Sequence, residues 1–195
     1  MIILLLQSIM AGICIGLSCV LSLRINDPAL AAMLFAIGLC TIRLYKGALY
    51  TGKIQKIIDK DDRLPLDRLL WVLLGNLAGT TIVALFFYGF QDSSVTSVMI
   101  DLARTKQTLS YAYLGFGAVM CGMLMTIATA PKTPYWLTIF CVMAFILAGF
   151  SHSIADSFYY FGLGSLFVPS WWISAVGNLI GGLSMAALLK LEQAP

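Results

Sequence analysis

The chain has 195 residues, of which 60% are hydrophobic and only 11% are charged, whereas ordinary soluble domains carry ~25% charged residues. So few charges exclude a water-soluble globular domain, and the apolar runs are long enough to cross a ~30 Å hydrocarbon core. The composition therefore predicts an integral membrane protein, and the net charge of +3 is informative only through its distribution along the chain.

The first predicted span covers residues 1–23. It lacks the basic start and the small-residue cleavage site of a signal peptide, so we expect it to remain in the mature protein. Gly12 and Gly16 are four residues apart, a spacing that permits close contact between membrane helices. A polar turn follows, and Pro28 suits the first turn of the second span.

The second predicted span, residues 28–52, contains Arg43 and Lys46 on one helix face. Cations inside a span normally face a partner or a water-filled cavity, although they can also extend toward the membrane interface. We predict a break in this helix at residues 50–52, near the middle of the membrane, with both cations in the half before it. Irregular backbone at that depth is tolerated only where it lines a cavity or is buried in protein.

The remaining predicted spans are residues 71–90, 108–130, 135–164 and 169–190. Six spans place both termini on the same side of the membrane, and the positive-inside rule assigns that side to the cytoplasm. The predicted inside cations are Lys53, Lys56, Lys60, Arg63, Arg68, Lys132 and Lys190, against Arg24, Arg104 and Lys106 outside. The segment 91–106 is predicted to be a polar, extracytoplasmic connection.

A polar interruption followed by a Gly-Asn-Leu-x-Gly sequence occurs twice. Gly75 and Gly177 are 102 positions apart, and so are Leu49 and Ser151, which open the two interruptions. With three spans in each half, these copies predict an inverted repeat, about 1–90 and 106–190, within one transmembrane channel domain of residues 1–195. The asparagines are predicted to bond backbone groups freed at helix crossings. The only histidine, His152, lies in the second interruption, where the two broken helices are expected to meet.

Several motifs resemble those of the formate/nitrite transporter family. Residues 149–156 (GFSHSIAD) resemble its fifth-helix motif GFEHSIAN, and residues 47–52 (GALYTG) resemble its second-helix motif GAELFTGN. Residues 75–79 (GNLAG), after Trp71, are similar to its third-helix motif, and residues 177–182 (GNLIGG) are similar to its last-helix motif GNxIGG. The resemblance extends over nearly the whole chain.

The resemblance implies an all-α, aquaporin-like protomer of six transmembrane helices with broken second and fifth helices, assembled as a homopentamer in the inner (plasma) membrane. Each protomer would hold a pore for small monovalent anions such as formate, nitrite or hydrosulfide, with no cofactor and no enzymatic activity. His152 and Thr51 would flank the pore centre, and Lys106 would stand at the outer start of the fourth helix. Constriction positions are matched by Phe145, Leu39 and Leu49.

The chain departs from the family motifs at several positions, which leaves the preferred anion open. Ser151 and Ala48 each replace a glutamate, Asp156 replaces an asparagine, and Gly122 stands where a fourth-helix asparagine is expected.

A bare anion loses several kcal/mol of hydration in an apolar constriction, whereas the neutral acid loses far less. We therefore expect Lys106, Arg43 and Lys46 to concentrate the anion. A proton would then come from bulk water or through His152, the one side chain that titrates near neutral pH.

Asp156 lies four residues after His152, on the same helix face. It could orient His152 and raise its basicity, or it could neutralise Arg43 or Lys46. We predict the ion pair, because unpaired cations in a membrane are costly.

Plainer interpretations of the same residues stay open. His152 could be a structural histidine, and the Thr51 hydroxyl could bond its own helix. The five cysteines lie in apolar segments and are expected to act as small apolar side chains. Other functions are a fold-only relative with a different or neutral solute, a membrane-embedded enzyme using His152 and Asp156, and a structural or signalling protein that has lost transport. No metal or nucleic-acid motif is present in the sequence.

Overall fold

The computed structural model describes residues 1–90, 93–165 and 168–191, and its regular structure in these ranges is helical. The helices are α1 (Ile2–Leu23), α2 (Pro28–Leu44), α3 (Tyr50–Lys53), α4 (Leu66–Gly89), α5 (Ser93–Thr108), α6 (Tyr111–Thr129), α7 (Tyr135–Leu147), α8 (Ser153–Phe161) and α9 (Pro169–Leu191). A 3-10 turn at Ile54–Ile57 follows α3 directly.

Four described helices, α1, α4, α6 and α9, are long and apolar enough to cross a membrane. Two shorter apolar helices, α2 and α7, have 17 and 13 residues, which corresponds to about 26 Å and about 20 Å at the α-helical rise. Large apolar side chains such as Leu74, Phe116 and Phe140 are more than half exposed, as a surface in contact with lipid requires.

Helix α1 packs most extensively on α4, and α6 packs on α9. The glycines at these crossings leave no room for a side chain: a Cβ at Gly12 would overlap the carbonyl oxygen of Asn76, and a Cβ at Gly122 would overlap that of Asn178. The small residues predicted to bring helices together therefore do so at Gly12. The two crossings use the same contact between a glycine and an asparagine carbonyl.

The chain leaves helical geometry between α2 and α3 and again between α7 and α8. Residues 45–49 form the first interruption, and residues 148–152 form the second. The predicted break at residues 50–52 was wrong, because these residues already belong to α3. The preceding helices end in the same way, because Gly47 donates its N–H to the Ile42 carbonyl (2.8 Å) and Phe150 donates to the Phe145 carbonyl (2.9 Å).

Asn76 holds the first interruption with three hydrogen bonds. Its side-chain oxygen accepts the N–H of Tyr50 (2.7 Å), and its NH₂ group donates to the carbonyls of Ser8 (2.7 Å) and Ala48 (2.8 Å). Two of these groups, the Tyr50 N–H and the Ala48 carbonyl, have no helical partner, and buried backbone groups need one. The third bond ties the interruption to Ser8 of α1. The prediction that the asparagine satisfies freed backbone is confirmed.

Asn178 holds the second interruption in the same way. It accepts the N–H of Ser153 (2.9 Å) and donates to the carbonyls of Ala118 and Ser151, both at 2.8 Å. The matched donors Tyr50 and Ser153 are 103 positions apart, so the residue that corresponds to Leu49 is His152. The predicted pairing of Leu49 with Ser151 was wrong by one residue, because the interruptions recur one position later than the Gly-Asn pairs.

The segment 91–106 was expected to be a polar connection, but its described part belongs to α5; residues 91–92 lie outside the described ranges. Val95, Met99 and Ala103 of α5 are fully buried. They are four residues apart and form one helix face, so three apolar side chains fix this helix on the bundle despite its low overall hydropathy.

Candidate functional site between two cavities

The Thr51–His152 hydrogen bond joins the two interrupted segments. His152 caps α8: its Nδ1 accepts the N–H of Ala155 (3.2 Å), and its Nε2 lies 2.9 Å from the Thr51 hydroxyl. Because Nδ1 is an acceptor, the neutral ring carries its proton on Nε2 and donates it to Thr51. Both side chains are at most 1% exposed. The two residues predicted to meet are therefore in contact.

One side of the imidazole is covered by Phe145, which in turn packs against Phe35. The Phe145 ring stacks on His152 at 5.5 Å between centroids, and Phe35 contacts Phe145 edge-on at 6.0 Å. Phe145 was singled out in the sequence, but Phe35 was missed. Its position on α2, four residues before the predicted constriction residue Leu39, was a signal that could have found it, since residues at that spacing share a helix face.

A cavity of about 440 Å³ opens beside these rings, and we name it the Lys106 cavity. Its lining is mostly apolar, and among the residues that the structure describes its charged side chains are Lys106 and Asp156. The lining also includes Phe35, Phe145 and His152.

A second cavity of about 620 Å³, the Arg43 cavity, is lined by both signs of charge. Its charged residues are Arg43, Lys46, Lys53, Lys56, Asp59, Asp61 and Asp62. Leu49 and Gly52, on either side of Thr51, also line it. His152 lines the Lys106 cavity, so the Thr51–His152 hydrogen bond lies between the two cavities.

Lys106 is the partner of Asp156. Its Nζ lies 3.0 Å from Asp156 Oδ1 and donates to the Ser151 hydroxyl at 3.1 Å. The ammonium is 14% exposed and the carboxylate 1%. Asp156 therefore pairs with a cation, as predicted, but the predicted partners Arg43 and Lys46 were wrong. Asp156 also does not orient the His152 ring, whose two nitrogens bond Ala155 and Thr51.

Arg43 lies at the other end of the bundle from Lys106. Its guanidinium donates to the Thr138 hydroxyl and to the Thr133 carbonyl (2.6 Å), and it packs over the Tyr135 ring at 4.9 Å. These residues lie at or just before the start of α7. The expectation that Arg43 lies in the same half of the membrane as Asp156 was therefore wrong.

The reason is the path of the chain. Helix α2 runs its full length before it ends at the exposed Leu44, and the chain then folds back to the buried Ala48 and Leu49. Ala48 donates its N–H to the Gln7 carbonyl at 3.2 Å. Lys46 lies in this returning connection and lines the Arg43 cavity, so neither Arg43 nor Lys46 lies on the Lys106 side.

The three predicted constriction residues lie at different places. Phe145 lines the Lys106 cavity, and Leu49 lines the Arg43 cavity. Leu39 is fully buried on α2 and lines neither. In the part of the chain that the structure describes, no cluster of three or more His, Cys, Asp or Glu residues is arranged to hold a metal ion. The site can offer hydrogen-bond donors and positive charge to a small solute.

Comparison with known proteins gives one consistent result. The family model described as "Formate/nitrite transporter" matches residues 1–191. The curated relatives include the nitrite transporter NirC of Salmonella typhimurium (strain LT2), 27% identical over 189 residues, which covers 85% of this chain and 67% of the relative. NirC of Escherichia coli (strain K12) is 26% identical, with 85% and 68% covered.

Solved structures share the fold. A "pentameric formate channel with formate bound" superposes with a TM-score of 0.82 at 18% identity, covering 97% of this chain and 96% of that one. An "FNT family ion channel" gives a TM-score of 0.79 at 23% identity, covering 98% and 90%.

Proposed function

Because the chain belongs to the formate/nitrite transporter family, a family of multi-pass membrane transport proteins, we propose that it conducts small monovalent weak-acid anions such as formate, nitrite or hydrosulfide. The observation that carries the proposal is the position of the Thr51–His152 hydrogen bond between two cavities that both contain cations. A solute that crosses between the cavities must pass this polar pair.

The proposed path begins at Lys106, which attracts the anion. Beyond it, Phe35 and Phe145 present apolar rings, where loss of hydration disfavours a bare charge. The neutral acid passes such a constriction more easily, so we propose that protonation assists passage. On the far side, Arg43 and the neighbouring lysines of the Arg43 cavity stabilise the anion again.

His152 is proposed to act as a neutral hydrogen-bond donor. A proton added at Nδ1 would face the Ala155 N–H, which now donates to that nitrogen (3.2 Å), and the cap of α8 would be lost. This favours bulk water over His152 as the source of the proton. Thr51 accepts the Nε2–H of His152, which leaves the threonine's own proton available for the solute.

The proposed architecture is one channel domain of residues 1–195 with six transmembrane helices, built from inverted repeats of about 1–90 and 106–190. The equivalent bonding of Asn76 and Asn178 supports the repeat. A homopentamer is proposed from the likeness to the pentameric formate channel. The cationic loop after α3 supports both termini in the cytoplasm and an inner (plasma) membrane location.

A neutral solute is the second candidate, because one observation favours it. Lys106 is already paired with Asp156 at 3.0 Å, so the described residues that line the Lys106 cavity contribute no net charge.

The test is uptake of formate, nitrite, hydrosulfide, lactate and chloride into proteoliposomes at acidic and at slightly alkaline external pH. Faster entry of the weak acids at acidic pH, with chloride excluded, is expected. Uptake of a neutral solute such as glycerol, with no anion uptake by a folded oligomer, would contradict the proposal and favour the second candidate.

A further inference from the structure

We propose that Asp156 is a specificity-determining residue, whose carboxylate competes with the transported anion for Lys106 and weakens anion binding in the Lys106 cavity. The inference rests on the proposed function, since it concerns the anion that this function assigns. Asp156 lines the cavity, as Lys106 does. A permeating anion therefore meets an ammonium that already has a counter-ion.

The contacts of Lys106 leave little capacity for an anion. An ammonium has three N–H donors, and Asp156 and Ser151 occupy two of them at 3.0 and 3.1 Å. Within the described residues, the second oxygen of Asp156, Oδ2, makes no hydrogen bond. A buried carboxylate with one unsatisfied oxygen is a costly structural solution, which argues for a role beyond packing.

In residues 149–156 the carboxylate stands at the last position, whereas the resembling motif has its carboxylate before the histidine. Where the resembling motif reads Glu-His and ends in Asn, this chain reads Ser151-His152 and ends in Asp156. Both positions contact the same Nζ atom of Lys106. Only Asp156 lines the cavity, whereas Ser151 does not. The exchange therefore keeps the ion pair and turns its negative charge toward the path of the solute.

The Arg43 cavity provides the contrast. The Arg43 guanidinium bonds neutral oxygens, those of Thr138 and Thr133, and so keeps its charge available. Three aspartates also line this cavity, so its four cations leave one net positive charge among the described residues, whereas Lys106 and Asp156 sum to zero. An anion should therefore be held more strongly on the Arg43 side than on the Lys106 side.

The experiment compares the concentration dependence of formate uptake in the full-length oligomer. Asp156→Asn should lower the half-saturating formate concentration at least about tenfold, equivalent to about 1.4 kcal/mol. The double variant Ser151→Glu with Asp156→Asn restores a carboxylate beside Lys106 at the position outside the cavity. It should form a stable oligomer and should lower the half-saturating concentration by less than Asp156→Asn alone, because Lys106 again has a counter-ion, now at a position outside the cavity. Asp101→Asn, which removes an exposed carboxylate outside the cavity, should leave uptake unchanged.

The outcomes separate the two proposals. If Asp156→Asn forms a folded oligomer with the half-saturating concentration of the unchanged protein, the role of Asp156 is overturned and the proposed function stays intact. A double variant with a lower half-saturating concentration than Asp156→Asn alone would also overturn it, because the restored counter-ion would then not compete with the anion. If the unchanged protein moves no anion but Asp156→Asn does, the inference holds and the proposed solute falls. If all variants form folded oligomers and none moves an anion, both proposals fall.

Discussion

The two interruptions of the helices share a backbone arrangement and differ in their chemistry. Asn76 and Asn178 each make the same three hydrogen bonds to the residues around their interruption. Helix α8, however, is capped by the side chain of His152, whereas Leu49, at the matching position before α3, makes no side-chain cap. The repeat therefore fixes where the chain bends, and single side chains at matched positions decide what each bend can do.

The charges also differ between the two interruptions. The first interruption adds Lys46 to a cavity that already contains Arg43. The second places Asp156 against Lys106. Among the described residues, the first cavity thus has four cations against three aspartates, whereas the second has one cation paired with one carboxylate. A permeating anion would experience these as two unequal sites.

The largest effect is expected when either asparagine is replaced, and the comparison tests whether Asn76 and Asn178 hold their interruptions equally. Asn76→Ala or Asn178→Ala leaves two buried backbone groups of the interruption without partners, at about 1–3 kcal/mol each, and removes a bond to a neighbouring helix. Each variant should therefore lose most of its detergent-stable oligomer. The measurement is oligomer yield by size-exclusion chromatography. If one variant were lost and the other were stable, the two interruptions would not be held in the same way.

A smaller loss is expected at the helix crossings. Gly122→Ala places a methyl group on the Asn178 carbonyl oxygen, whereas Gly115→Ala meets only the Ile173 side chain at 3.6 Å. Overpacking of this kind costs about 1–3 kcal/mol, so the Gly122 variant should lower the thermal midpoint of the solubilised protein. The Gly115 variant is the matched control on the same helix. Equal midpoints for the two would contradict the close crossing of α6 and α9.

The Gly-Asn pairs, the histidine and the charged residues differ in how well the sequence predicted their contacts. The Gly-Asn pairs could be found because a repeat with constant spacing implies constant contacts, and the single histidine drew attention to Thr51 as its partner. The position of Arg43 along the membrane normal could not be predicted from the sequence. Counting residues along a span assumes that the helix continues in one direction, whereas this chain turns back after Leu44. The partner of Asp156 was missed for the same reason. Asp156, Arg43 and Lys46 were predicted to lie in one half of the membrane, but Asp156 lies beside Lys106 and the other two line the Arg43 cavity.

Transport should respond most to the bond between the two segments. His152→Asn keeps an acceptor that can cap α8 but removes the donor to Thr51, and Thr51→Val removes the acceptor at nearly constant shape. Each should slow formate flux about tenfold, equivalent to about 1.4 kcal/mol in the barrier, with a stable oligomer. Thr126→Val, which removes a buried hydroxyl bonded to the Gly182 carbonyl, should leave flux near that of the unchanged protein. Full flux in both site variants would remove this pair from the path.

The smallest effect concerns the residues that end the two preceding helices. Lys46 has φ 55°, and Gly149, at the matching position, has φ 69°. A side chain in this left-handed region costs about 1–2 kcal/mol, so Gly149→Ala should lower the thermal midpoint. Lys46→Gly should raise it by less, since glycine also gains entropy in the unfolded chain. If Lys46→Gly lowered stability, the lysine would be held there by its charge, and the two turns would share only their backbone shape.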